Sequence, residues 1–354
     1  MNEFQLKTPS TRLSRKLGLL ALMATGICSM LGASINVVPF MIHRSVPDIG
    51  PYVLPAFMFA MVPALLAALA YGSLASAMPR AGGSYIYASR GLSPYLGFVA
   101  SFSQWFGLSI VIGVIAYVIV PFVRDVFIAL DWSTASDFVE KGVVRVSLSL
   151  SLIWFFVYIN FRGGKFYART VVPLMFLMFI LGGIVIAAGF VFDQQDFLQT
   201  LDGGGEDLIQ APPSFNWLHF LSASAVLFAS FIGFDSIAQA GGEAKKPRKT
   251  LPLAILLTIA VVGAFYFLFT YAVYHIVPWE YVAEKAMYED ITAPGLISPL
   301  LTPVLSVAII IGAAIALIND LPAMLLSVSR LVFAWAEDGV FPSGIAVTHP
   351  KYHT

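Results

Sequence analysis

The sequence predicts an all-α membrane protein, and three features lead to that prediction. Hydrophobic residues make up 58% of the 354 residues and charged residues only 11%, against about 25% charged residues in a typical soluble domain. Several uncharged stretches are longer than the roughly 20 residues that a helix needs to cross a bilayer. These stretches are too long for barrel strands, and backbone polar groups in lipid must be paired, so we expect helices.

The stretches predict eight membrane spans, with approximate bounds at residues 17–42, 51–78, 92–123, 143–161, 169–192, 217–241, 250–277 and 296–334. The first follows a basic N-terminus, as in a signal peptide. Its 26 uncharged residues exceed the core of a signal peptide, so we interpret it as a retained helix. The fourth span is the weakest, and we expect Arg145 at its outer end to reach toward water.

The distribution of basic residues orients the chain. Fifteen of the twenty Lys and Arg residues lie on the side of the N-terminus and five on the other side. The positive-inside rule then predicts a cytoplasmic N-terminus in the plasma (cell or inner) membrane. The predicted segments are a cytoplasmic tail (1–16), a first set of five spans (17–192), an extracytoplasmic acidic loop (193–216), a second set of three spans (217–334) and a cytoplasmic C-terminal segment (335–354).

Spans 1 and 6 contain small and polar residues at mid-depth, in the stretches 25–36 and 230–236. One interpretation is close packing of helices through small residues. The pairing favours another, because glycine-interrupted spans at corresponding positions indicate an inverted-repeat transporter with a central site. An interrupted helix offers free N–H groups to a carboxylate and free carbonyls to an amine. Such a site suits a molecule that carries both groups.

Two acids, Asp235 and Asp320, fall within predicted spans. A carboxyl group inside a membrane helix usually faces a cavity and marks a path for an ion or substrate. For Asp320 the alternatives are an ion pair with a basic residue and a cap at a kink before Pro322. For Asp235 the alternative is a structural hydrogen bond to N–H groups of the interrupted segment.

Five segments in order resemble one family. They are Gly32-Ala33-Ser34-Ile35 through Pro39; Met78-Pro79-Arg80-Ala81-Gly82-Gly83-Ser84-Tyr85-Ile86-Tyr87; Asn160-Phe161-Arg162-Gly163-Gly164-Lys165; Gly233-Phe234-Asp235 with 243–252; and Ser329-Arg330 with 336–342. They resemble the amino acid–polyamine–organocation (APC) superfamily of permeases. The resemblance implies a leucine-transporter-like inverted-repeat fold, with spans 1 and 6 broken. Its first repeat of five helices would be complete and its second incomplete, so we expect a fragment of a longer permease or a truncated gene product.

The resemblance also implies roles for individual residues. Backbone N–H groups of Ala33 and Ser34 would hold a substrate α-carboxylate, and carbonyls of Met30, Ala229 and Ile232 an α-amine. The glycines of the two breaks, Gly32 and Gly233, belong to the same site, and Gln104 and Gly107 would lie near the substrate side chain. Phe228, Phe231 and Phe234 would act as gates, with Asp235 as a pH-sensitive latch. Ordinary packing remains open for each side chain.

Two departures from the family pattern bear on the site. Ser34 stands where the family usually has glycine, and Met178 stands where many members have a lysine. We expect Asn319, Asp320 and carbonyls of the span 1 break to form a site for H+ or Na+ in place of that lysine. Apart from such a coupling ion, no cofactor or metal is expected.

These observations predict a secondary transporter that moves amino acids or related amines by alternating access. A net charge of zero excludes a polybasic nucleic-acid binder. We find neither a channel filter motif nor the residue patterns of an intramembrane enzyme. A non-transporting amino acid sensor and an inactive fragment remain alternatives. The small, aromatic-rimmed pocket weakly favours neutral or bulky apolar amino acids, and the oligomeric state is left open.

Overall fold

The computed structural model describes residues 13–129, 132–201, 213–349 and 352. The predicted N-terminal tail up to residue 12 and residues 202–212 of the acidic loop lie outside the described residues. Within the described ranges the chain is helical, and an isolated parallel bridge joins Leu17 to Ala244.

Fifteen α-helices follow one another through the described residues. The first five are α1 (Leu19–Asn36), α2 (Val38–Ser45), α3 (Val53–Ala77), α4 (Ser84–Gly91) and α5 (Pro94–Ala129). The next five are α6 (Ser133–Glu140), α7 (Gly142–Phe161), α8 (Gly164–Val191), α9 (Gln194–Leu198) and α10 (Trp217–Phe228). The last five are α11 (Asp235–Gln239), α12 (Pro247–Ile276), α13 (Trp279–Tyr288), α14 (Ala293–Ile297) and α15 (Pro303–Glu337).

Seven helical segments in the described ranges are long and apolar enough to cross a membrane, and the shorter apolar helix Leu19–Gly32 precedes them. The chain is therefore a multi-pass membrane protein. Every predicted span coincides with one of these segments, although two spans are interrupted. The last span begins at Pro303 rather than near 296, because Pro299 and Pro303 lack the N–H that a continuous helix would need there.

The interrupted helix α1 lies at the centre of the fold. It packs against α8, α12 and α15, while α3 packs against α10 and α12 on one side. Helix α7 is among the most exposed of the long helices. Arg145, at its outer end, lies over the ring of Tyr117, 3.7 Å from the ring centroid, and donates to the Tyr117 carbonyl at 3.2 Å.

Candidate functional site

The first interruption lies in α1 at Gly32, whose φ of −55° and ψ of −106° leave the helical region. The small polar side chains around it mostly bond to their own helix. Thr25 Oγ1 and Ser29 Oγ each donate to the carbonyl four residues earlier at 2.9 Å, and Asn36 Nδ2 donates to the Gly32 carbonyl at 3.2 Å. Side-chain bonds of this kind compete with the backbone hydrogen bonds of the helix for the same carbonyls. They therefore weaken the helix here and favour a break at Gly32.

The second interruption separates α10 from α11. The chain forms a single 3₁₀ turn at residues 229–231, and Gly233 follows with a φ of +138°. A Cβ atom on Gly233 would lie 2.5 Å from the Ser29 carbonyl oxygen. Only glycine combines this backbone conformation with so close an approach. The two interruptions are therefore pressed directly against each other.

Tyr266 on α12 links the two interruptions. Its hydroxyl donates to the Ser230 carbonyl at 2.9 Å and also to the Met30 carbonyl. A hydroxyl has one proton, so the two carbonyls share it. The Met30 carbonyl, which the resemblance assigns to a substrate amine, is thus already bonded to Tyr266, although a carbonyl has a second lone pair.

Tyr266 was not singled out by the sequence reasoning. The sequence does contain a hint of its role, because Tyr266 lies in the middle of an uncharged span. A buried tyrosine at such a position needs a hydrogen-bond partner for its hydroxyl. The position of that partner could not be inferred from the sequence alone.

A polar cluster surrounds Asp235 at the start of α11. Gln104 from α5 donates its amide nitrogen to Asp235 Oδ2, and Gln239 donates to the same oxygen at 3.4 Å. The amide oxygens of Gln104 and Gln239 are buried and have no hydrogen-bond partner among the described residues. Two predicted site residues, Gln104 and Asp235, are therefore brought together.

The other intramembrane acid lies beside the first interruption. The carboxylate of Asp320 lies directly against the Gly32 backbone, so that a Cβ on Gly32 would overlap it. Its neighbour Asn319 donates Nδ2 to Cys28 Sγ at 2.8 Å. Within the described part of the chain, Oδ1 of Asp320 and Oδ1 of Asn319 are buried without a partner. The predicted pair thus adjoins the break in α1.

The remaining predicted residues are more scattered. Gly107 has open space where a side chain would be, and Ala229 and Ile232 are exposed. Ala33 lies in the helix immediately after the break. Met178, at the position of the family's lysine, is buried against a small cavity of about 20 Å³ that Leu31 and Asn36 also line.

The three predicted gate aromatics do not converge. Phe231 is fully buried, with ring centroids 5.6 Å from Phe57 and 5.3 Å from Tyr266. Phe234 meets the edge of the Tyr71 ring at 5.4 Å. Phe228 lines a separate cavity of about 330 Å³ between α3 and α10. Phe231 therefore packs as a core residue in this conformation.

A buried ion pair joins the segment after α11 to α15, at the end of the helices where α1 and α12 begin. Arg330 Nε donates to Glu243 Oε1 at 2.5 Å, and Arg330 Nη2 contacts the same oxygen. The two side chains are 7% and 2% exposed. The backbone strengthens the closure, because Leu17 N donates to the Glu243 carbonyl at 2.9 Å and Lys245 N to the Leu17 carbonyl at 2.8 Å.

More exposed ion pairs surround this closure. Arg80 pairs with Glu337 at 2.8 Å, and Arg90 lies 3.5 Å from Asp338. Partial burial alone would lower the pKa of Arg80, but the Glu337 and Asp338 carboxylates outweigh it, so the pKa is raised. At the opposite end of the helices a cavity of about 610 Å³ lies among Leu54, Gln195, Tyr271 and Trp279.

Comparison with known proteins identifies the family. The family model described as amino acid permease matches residues 17–354. The chain belongs to the amino acid permease family. Among its relatives is the cationic amino acid transporter 4 of Homo sapiens, 26% identical over 373 residues, which cover 97% of this chain and 53% of that protein. Another is the low-affinity putrescine importer PlaP of Escherichia coli (strain K12), 25% identical over 306 residues, 84% of this chain and 62% of that protein.

The chain thus spans between about half and two thirds of the length of these two permeases. Its fold matches the crystal structure of MhsT in complex with L-phenylalanine, with a TM-score of 0.60 at 14% identity over 95% of this chain and 77% of the other. This match confirms the predicted fold class, an all-α membrane protein with leucine-transporter-like architecture. The inverted pairing of its repeats stays a prediction.

Proposed function

We propose that this permease chain belongs to a secondary active transporter that moves amino acids or related amines across the membrane by alternating access. The observation that carries the proposal is the contact between the two interruptions, with Gly233 packed on the Ser29 carbonyl beside Gly32. Backbone groups released from helical bonding at this contact can bind a small polar molecule in an otherwise apolar bundle. The names of the relatives, a cationic amino acid transporter and a putrescine importer, support this substrate class.

Substrate binding would use backbone groups on both interrupted helices. The N–H groups of Ala33 and Ser34 begin the outer part of α1, where the helix dipole favours negative charge. Carbonyls of Met30, Ala229 and Ile232 would accept hydrogen bonds from an ammonium group. Gln104 and Gly107 on α5 would lie along the substrate side chain, and Phe228, Phe231 and Phe234 would move as gates.

Alternating access also needs gates and a driving ion. Opening toward the cytoplasm would separate Glu243 from Arg330, because their buried pair joins the segment after α11 to α15. Asp320 would bind a cation beside Gly32, with H+ and Na+ as the coupling ions under test. The charge distribution supports a plasma-membrane protein with a cytoplasmic N-terminus.

Counterflow tests the proposal. Proteoliposomes with the full-length protein are loaded with unlabelled leucine, ornithine or putrescine, and uptake of the labelled compound is measured. We expect counterflow in the wild type and its loss in Gly233→Ala, because the new Cβ would collide with the Ser29 carbonyl. Gly113→Ala is the matched control, since nothing lies within 4 Å of a Cβ at that position.

Two outcomes would contradict the proposal. Binding of a ligand without counterflow would indicate a sensor on the same fold. Counterflow that survives Gly233→Ala unchanged would mean that the contact between the interruptions is not part of the transport site.

A further inference from the structure

The position of Asp320 restricts what the site can bind. Asp320 is 4% exposed, and its carboxylate lies directly against the backbone of Gly32. Both carboxylate oxygens would overlap or closely approach a Cβ on Gly32. A carboxylate from the protein itself is therefore already present at the start of the outer part of α1, next to the N–H groups that a substrate carboxylate would need.

No positive side chain balances this carboxylate among the described residues. No Lys, Arg or His nitrogen in the described ranges forms an ion pair with Asp320, and Arg330 on the same helix is paired with Glu243. Cys28, whose sulfur accepts from the Asn319 amide, and Tyr266, whose hydroxyl bonds to the Met30 carbonyl, lie at the same break, and neither side chain supplies a positive charge. A buried carboxylate without a cation is unfavourable, so Asp320 needs either a proton or a cation that is supplied from outside the chain.

Several unsatisfied groups near the interruptions can only accept hydrogen bonds, whereas Ser230 Oγ, also buried without a partner among the described residues, can accept or donate. Oδ1 of Asp320 and Oδ1 of Asn319 are buried and have no partner among the described residues. The amide oxygens of Gln104 on α5 and Gln239 on α11, beside Asp235, are likewise buried without a partner. An ammonium group has three N–H donors and no acceptor, so it complements oxygens of this kind. A second carboxylate beside Asp320 would instead add like-charge repulsion.

We propose that Asp320 replaces the substrate carboxylate at the break in α1, so that the preferred ligand is a primary amine or diamine without a carboxylate, its ammonium paired with Asp320. This inference rests on the proposed function and narrows its substrate class. It takes the place of the H+ or Na+ proposed above at Asp320, because the cation there is then the ammonium group of the substrate.

The test compares ligands that differ only in the carboxylate. Equilibrium binding of labelled putrescine and ornithine is measured on the purified full-length protein, with ornithinamide as a competitor that retains both amines and lacks the charge of the carboxylate. In the wild type we expect putrescine to bind about tenfold or more tightly than ornithine, and ornithinamide to compete like putrescine. In Asp320→Asn the ratio of the ornithine to the putrescine dissociation constant should fall toward one. Glu284→Gln, which removes an exposed acid on α13, is the matched control and should keep the wild-type ratio.

The outcomes separate this inference from the proposed function. Equal or tighter binding of ornithine by the wild type would overturn the inference, and this comparison needs no variant to fold. A wild-type ratio in Asp320→Asn would overturn it as well, and a loss of Na+ dependence alone in that variant would assign Asp320 to an inorganic ion. Binding of none of the amines and amino acids would instead overturn the proposed function.

Discussion

Replacing Glu243 by glutamine should open the end of the protein that we propose to face the cytoplasm. The Glu243 side chain is 2% exposed and the Arg330 side chain 7% exposed. Arg330 Nε donates to Glu243 Oε1 at 2.5 Å. Removal of one partner of such a buried pair costs about 3–5 kcal/mol, because a buried charge is left without compensation. Glutamine can still accept a hydrogen bond, so we expect the lower end, about 3 kcal/mol. When the cytoplasmic side opens, water reaches Arg330 and the penalty disappears.

The population of the closed state should therefore fall by about two orders of magnitude relative to the open state, since about 1.4 kcal/mol corresponds to a factor of ten. Thiol labelling measures this shift. Cys28 is the single cysteine, so Cys28→Ser with Ser327→Cys places one thiol at a buried position three residues before Arg330. In inside-out vesicles, an impermeant maleimide should label this thiol much faster when Glu243→Gln is added.

The matched control is Glu337→Gln, which removes a partly exposed pair with Arg80. Surface pairs contribute about 0–1 kcal/mol, so the labelling rate should change less than about fivefold. The double variant Glu243→Leu/Arg330→Leu leaves no unpaired charge and should label nearly as slowly as the parent. Equal labelling rates in Glu243→Gln and its parent would refute the assignment of this pair to the cytoplasmic closure.

Two further substitutions test the site itself. Tyr266→Phe removes the hydroxyl shared by the Met30 and Ser230 carbonyls. The loss should lower the free energy of unfolding by about 1–3 kcal/mol, which is measured as a lower thermal midpoint in detergent. An unchanged midpoint would mean that this link is dispensable. Asp235→Asn removes the carboxylate that Gln104 and Gln239 contact. This variant should show a flatter dependence of counterflow on pH than the wild type. A pH dependence like that of the wild type would assign Asp235 a structural role.

The fold was predictable because its main determinant is local. Long uncharged runs have to be helices in a bilayer, and their bounds follow from where charges and prolines interrupt them. The start of α15 shows where such predictions become inexact. The apolar run begins near residue 296, but Pro299 and Pro303 interrupt it, so the long helix starts only at Pro303. Glycines and small polar residues likewise directed attention to the segments around Gly32 and Gly233, where the backbone leaves α-helical geometry.

The long-range partners were not predictable from one sequence. Tyr266 meets Met30 across 236 positions, and Arg330 meets Glu243 across 87. Nothing in the local pattern of either residue specifies its partner. Phe231 illustrates the same limit, because an aromatic beside a break fits a gate and a core position equally well, and its contacts with Phe57 and Tyr266 cannot be inferred from the local pattern.

A structure of the full-length protein with a bound amine tests the central claim most directly. The account predicts that the ligand lies between residues 30–34 and 229–233, with its ammonium in hydrogen-bonding distance of released carbonyls and of the Asp320 carboxylate. A ligand bound elsewhere, with the segments around Gly32 and Gly233 still packed against each other and touching no part of it, would contradict the account.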